Sequence, residues 1–114
     1  MTMLDDGLNR IRDLHKDDID KGWVGTSGTA VVETQTGLQT GVAATKIAAT
    51  VTQAEKTNII NYTLPSTTAT GNTYREFATI KDGTVEYNRA VYTGILHTAN
   101  DDIIVKQTFY YRNP

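Results

Sequence analysis

The sequence predicts a mainly β protein, an antiparallel β-sandwich with one N-terminal α-helix. Three observations carry that prediction. Residues 74–94 read as a β-hairpin, with aromatic and β-branched arms around an Asp82-Gly83 turn. Residues 45–64 and 103–111 alternate apolar and polar side chains with the period of a strand. Only residues 3–18 repeat apolar side chains at helical spacing.

Taken in order, Leu4, Leu8, Ile11 and Leu14 or His15 give residues 3–18 one apolar stripe. Asp5 and Asp6 early and Arg10, Arg12 and Lys16 later suit the helix dipole. Gly7 costs this helix about 1 kcal/mol relative to Ala. So short a helix is marginal alone, and its stripe must dock on its own sheet or on a neighbouring subunit. The chain thus divides into residues 1–20, a docking or oligomerisation helix, and residues 21–114, the sandwich. Asp17, Asp18 and Asp20 form a solvated helix end, because the glycine and terminal glutamate of a calcium loop are missing.

Residues 22–41, rich in Gly and Thr, read as an irregular ordered loop wrapping one end of the sandwich, pinned by Trp23 and Leu38. Gly25 and Gly28 lack the G-x-x-x-x-G-K-[ST] context of a phosphate loop. Residues 45–53 form a half-buried strand, 54–56 a turn, and 57–64 the return strand, ended by Pro65. Residues 66–72 are a polar surface loop.

In the 74–94 hairpin, Tyr74, Ala78 and Ile80 fall on one face and Phe77 and Thr79 on the other, so it is expected to be central and covered on both sides. Glu76 and Arg89 are its two charges in otherwise apolar arms. Each lies six residues from the turn, and a two-residue connection would set them opposite one another as a cross-strand pair. Residues 95–102 read as a loop, and 103–111 as the last strand. Phe109, Tyr110 and Tyr111 cannot all enter one core from alternating faces, so one or two tyrosines should be exposed, at a subunit interface or a sheet edge.

The 114 residues suit one domain with a real core. Net charge is −2 and no basic cluster occurs, which argues against nucleic-acid partners. The absence of Cys excludes disulfides and thiolate metal sites. No apolar run reaches the length of a membrane span, and the acidic N-terminus is not that of a classical secretory signal. The two histidines, His15 and His97, show no metal-ligand spacing. No Gly-x-Ser-x-Gly elbow occurs, and Ser27 and Ser66 lie in loops. His97 beside Asp101 and Asp102 is better read as part of an exposed loop than as an acid–base cluster. The expectation is a protein that is not an enzyme, with no cofactor and no metal.

One resemblance organises these signals. A Gly-Thr-rich loop (residues 24–30) is followed by a Thr-x-Thr-Gly-Leu step (34–38), a hairpin, an Arg-Glu-Phe strand (75–77), an Asp-Gly turn and an Asn-Arg-Ala-Val-Tyr return strand (88–92). That order resembles the β-sandwich domain of tailed-virus tail-fibre and tail-collar proteins, over residues 24–111. The chain departs from the pattern in lacking a glycine after Glu76 and an acid after Leu38. The resemblance implies a virion location and a structural role in the tail, baseplate or fibre adaptor. Its partners would be other virion proteins and further copies of itself, as a trimer or hexamer. The candidate interface residues are Leu4, Leu8, Ile11, Tyr110 and Tyr111, with Glu76 and Arg89 as a structural pair. The alternatives are a capsid decoration protein, or a host-glycan-binding module using Trp23, Tyr110 and Tyr111.

Overall fold

The structure, a computed structural model, describes residues 1–113. Helix α1 (Asp5–Asp18) precedes β1 (Lys21–Gly25), and a 3-10 turn (Ala43–Thr45) precedes β2 (Ile47–Ala48). Then come β3 (Thr50–Ala54), β4 (Thr57–Leu64), β5 (Thr73–Lys81), β6 (Val85–Glu86), β7 (Ala90–Leu96) and β8 (Ile103–Tyr110). All pairings are antiparallel and form two sheets. In the first, the order is β2-β1-β5, with β6 and then β7 along the far side of β5; in the second it is β3-β4-β8. The chain passes from one sheet to the other at Ala49, whose N–H donates to Asp20 O at 3.3 Å. That crossing closes one side of the sandwich and leaves β7 and β8 as edges on the other. The fold class is the one the sequence predicts.

The core lies between the sheets and consists of Val24, Tyr62, Leu64, Tyr74, Phe77 and Ile103, flanked by Val42, Ile47, Tyr92 and Val105. The Tyr62 and Phe77 rings stand 5.3 Å apart. Burying each such side chain stabilises the fold by roughly 1.5–3 kcal/mol. The Tyr62 hydroxyl is satisfied by donating to Thr45 O at 2.7 Å. Burial raises its pKa far above the phenolic range.

Several expectations are corrected. Residues 21–25 are a strand, although Gly22 and Gly25 disguise it. A Cβ on Gly22 would lie 2.8 Å from the Tyr62 ring, and one on Gly25 would overlap the Glu76 carboxylate. The glycines therefore mark close approach, not a loop. The expected strand over 45–53 is two strands broken at Ala49, because its halves belong to different sheets. The expected loop over 95–102 begins later, since β7 runs through Leu96.

The hairpin connection is three residues long, with Lys81 opposite Val85 and Thr84 N–H donating to Lys81 O at 2.9 Å. Only Gly83 has positive φ, at 77°, whereas a type I′ turn needs it at Asp82 as well. The longer connection moves the register by one residue and the break over 87–89 by one more, so Glu76 stands opposite Val91 rather than Arg89. A further register shift between Tyr74 and Glu76 re-aims the strand, so Tyr74 and Phe77 both enter the core instead of facing opposite ways. Of the hairpin expected to be central and covered on both sides, only β5 is; its return arm β7 is an edge strand with Val91, Ile95 and Leu96 exposed. The second sheet covers one face of β5, and the loop over 26–42 covers the other.

Candidate functional site

Glu76 projects from β5 on the face turned away from the core. Its Oε1 accepts Arg89 Nε at 2.8 Å and the Gln39 N–H at 2.9 Å. Its Oε2 accepts the N–H groups of Thr40 at 2.8 Å and Ser27 at 3.3 Å. Arg89 in turn donates to Thr29 O at 2.8 Å and to Gln35 Oε1 at 3.2 Å. The structure thus brings Glu76 and Arg89 together despite the shifted register, because residues 87–89 leave the ladder between β6 and β7. Both side chains are buried. Burial alone would raise the Glu76 pKa; the Arg89 guanidinium and three backbone N–H groups outweigh it and hold the carboxyl below its ordinary range. A carboxylate with both oxygens doubly engaged has nothing to offer a substrate. It is a clasp for the loop over 26–42.

A second carboxylate pins the same loop. Glu86 Oε1 accepts Trp23 Nε1 at 2.7 Å and the Leu38 N–H at 3.2 Å. The loop is therefore held by polar clasps more than by the apolar anchoring expected of Trp23 and Leu38. Lys46 Nζ sits 4.6 Å from the Trp23 ring centroid, and Gly41 packs so close to that ring that no Cβ would fit. A sugar stacking on Trp23 would have to displace Lys46.

His97 is not the exposed loop residue expected. It is buried beside Tyr74, its Nδ1 lies 3.4 Å from Ala69 O, and its Nε2 has no hydrogen-bond partner. Asp101 and Asp102 are exposed, and Asp102 accepts the Ser66 N–H at 2.8 Å. No acid–base pair forms there.

The helix stripe is split. Leu8 is buried, while Leu4 is 77%, Ile11 40% and Leu14 51% exposed. Polar bonds set this rotation. Asn9 Oδ1 accepts the Lys56 N–H at 2.8 Å, Arg12 donates to Ala54 O at 2.7 Å, and Asn58 Nδ2 donates to Arg12 O at 2.9 Å. These residues turn the Leu8 face of α1 onto the β3–β4 turn and leave the Leu4–Ile11–Leu14 face outward. His15 closes the contact. Its Nδ1 meets the Tyr111 hydroxyl, which also accepts Asn58 Nδ2 at 3.0 Å, and its ring lies against Tyr87 and Phe109. The direction of the His15 Nδ1–Tyr111 hydroxyl bond follows the tautomer of the imidazole, and Nε2 is left without a partner. Burial lowers the His15 pKa, with Asp18 partly opposing.

Ile11, Leu14, His15, Asp18, Tyr87 and Tyr111 line a broad open groove of about 520 Å³. Of the candidate interface residues, Ile11 and Tyr111 meet there. Leu4 and Tyr110 are exposed but do not line it, and Leu8 serves the fold. Tyr87 belongs to the groove and was not anticipated from sequence, because its position depends on the shifted hairpin register.

Among the described residues no group of three or more His, Cys, Asp and Glu is placed to hold a metal ion, and no helix is long and apolar enough to cross a membrane. The chain matches no protein-family model, no curated protein and no solved structure.

Proposed function

We propose that this chain is a structural, non-enzymatic virion protein of a tailed virus, a tail, baseplate or fibre-adaptor component. It assembles with neighbouring subunits through its N-terminal helix and its sheet edges. The observation that carries this reading is the outward apolar face of α1. Ile11 and Leu14 lie in water beside a groove whose walls are Tyr87 and Tyr111. Contiguous apolar surface rimmed by polar residues marks interaction sites. The virion assignment draws support from the clasp. The Gly-Thr loop, the Arg-Glu-Phe strand and the Asn-Arg-Ala-Val-Tyr strand, whose order carries the resemblance to tail-fibre and tail-collar domains, meet at Glu76 and Arg89.

The test is particle incorporation of the full chain carrying Ile11→Gln and Leu14→Gln, substitutions that keep helix propensity. Loss of incorporation with the fold intact is expected; incorporation at the wild-type level would refute the reading. A capsid decoration role uses the same face and is separated by which particle part retains the protein. The glycan-binding alternative has weaker support, since Trp23 is already occupied.

A further inference from the structure

The last strand differs from every other edge in the molecule. β8 pairs only with β4, in unbroken register from Ile103 opposite Leu64 to Tyr110 opposite Thr57. Tyr111 N–H continues that ladder by donating to Lys56 O at 2.9 Å. Alternation along an antiparallel ladder then aims the N–H and C=O groups of Ile103, Val105, Gln107 and Phe109 at β4. Those of Ile104, Lys106, Thr108 and Tyr110 point to the open edge. Natural edges are protected by prolines, bulges, charges or shortness. β7 has its register shift, and β2 and β3 are short. β8 has eight residues, no proline, no glycine, no bulge and one charge, Lys106. Its outward residues Ile104 and Tyr110 are 66% and 65% exposed.

We propose that β8 pairs antiparallel with β8 of a second copy of this chain, about a two-fold axis at Gln107, joining two three-stranded sheets into one of six strands. This rests on the assembly reading above and names one partner for it. An antiparallel edge is self-complementary under a two-fold axis, so one strand can serve both sides of an isologous contact. The side chains select the register. With the axis at Gln107, Ile104 faces Tyr110 of the partner subunit, an aliphatic–aromatic pair of the kind that stabilises sheets. Lys106 faces Thr108 of the partner subunit, and Asp102 faces Arg112 of the partner subunit, opposite charges at both ends of the ladder. An axis at Lys106 would oppose two lysines. An axis at Thr108 would put Ile104 against Arg112 of the partner subunit. Only the Gln107 axis matches charge with charge and apolar with apolar.

The register is testable in a chain that has no cysteine of its own. At the axis the two Gln107 residues form a non-hydrogen-bonded pair with Cα atoms about 4.5 Å apart, within disulfide reach. Two Ile104 residues lie about 20 Å apart, at roughly 3.3 Å per residue. Full-length Gln107→Cys should therefore oxidise to a covalent dimer and Ile104→Cys should not. Thr108→Pro removes an outward amide while leaving the β4 ladder whole. It should turn a wild-type dimer, seen by light scattering across a dilution series, into a folded monomer. A monomeric wild type with no Gln107→Cys coupling would overturn the proposal. So would a dimer that persists in folded Thr108→Pro, or Ile104→Cys coupling as readily as Gln107→Cys. The cysteine pair gives its answer even if the proline variant does not fold. Failure here leaves the helix-face incorporation test untouched, and failure there leaves a β8 dimer standing.

Discussion

Two contacts hold loop or helix to the sandwich, and they are built in opposite ways. The Glu76–Arg89 clasp is buried, ionic and saturated. Each carboxylate oxygen accepts two donors, and the guanidinium reaches Thr29 and Gln35. The α1 contact is shallow. Leu8 is its only buried apolar residue within the helix, His15 Nε2 is left without a partner, and the most apolar part of the helix faces water. A saturated network specifies one arrangement and leaves nothing to bind with. An unsaturated apolar face is what a partner needs. Under the proposed function, the first region serves folding and the second assembly.

The comparison breaks most visibly at the clasp. Glu76→Ala leaves Arg89 buried without a counter-charge, and breaking a buried pair from one side costs about 3–5 kcal/mol. Urea unfolding should show that loss, with faster proteolysis of the loop over 26–42. Next comes Leu8→Ala at the helix contact. Large-to-small core changes cost about 2–5 kcal/mol, and the low end is expected at the margin of this core. Ile11→Gln with Leu14→Gln should change stability by no more than about 0.5 kcal/mol, as surface substitutions do. If it costs as much as Leu8→Ala, the two faces of α1 are equivalent and the comparison fails.

The pH dependence sharpens the same contrast. The folded Glu76 carboxyl titrates below its ordinary range, so the unfolded chain takes up its proton first. Its stabilisation is complete above the ordinary carboxylate range and is lost as pH falls through the lower folded value. Glu76→Gln should flatten that acid limb of the stability curve. His15 is also lowered, so its contribution is complete above its ordinary value of 6.5 and falls as pH drops below it. His15→Asn should remove the slope just below neutrality while leaving the carboxylate limb. Hydrogen exchange in α1 should quicken over the same interval in the wild type, since burial in this contact disfavours the charged His15.

The fold was largely legible in the sequence because period-2 alternation and Pro65 mark β4 and β8 directly. The pairing of Glu76 with Arg89 was also legible, though for a reason the structure replaces. The charges stand out in apolar arms, but they meet through a bulged segment and not across a ladder. β1 was hidden because its two glycines, required for close approach to Tyr62 and Glu76, look like loop residues. The Tyr87 wall of the groove and the rotation of α1 were hidden for a deeper reason. Tyr87 reaches the groove through the shifted hairpin register, and α1 is turned by contacts distant in sequence, between Asn9 and Lys56 or His15 and Tyr111, which no local pattern encodes.

The division between a folding clasp and an assembly face is tested most directly by the unfolding free energy of the Ile11→Gln, Leu14→Gln chain. It should be measured beside the wild type at matched protein concentration, so that self-association contributes equally. The expected result is a value within about 0.5 kcal/mol of the wild type. A loss of about 2 kcal/mol or more, the size of a core truncation, would show that this face already serves the fold and is not held in reserve for a partner.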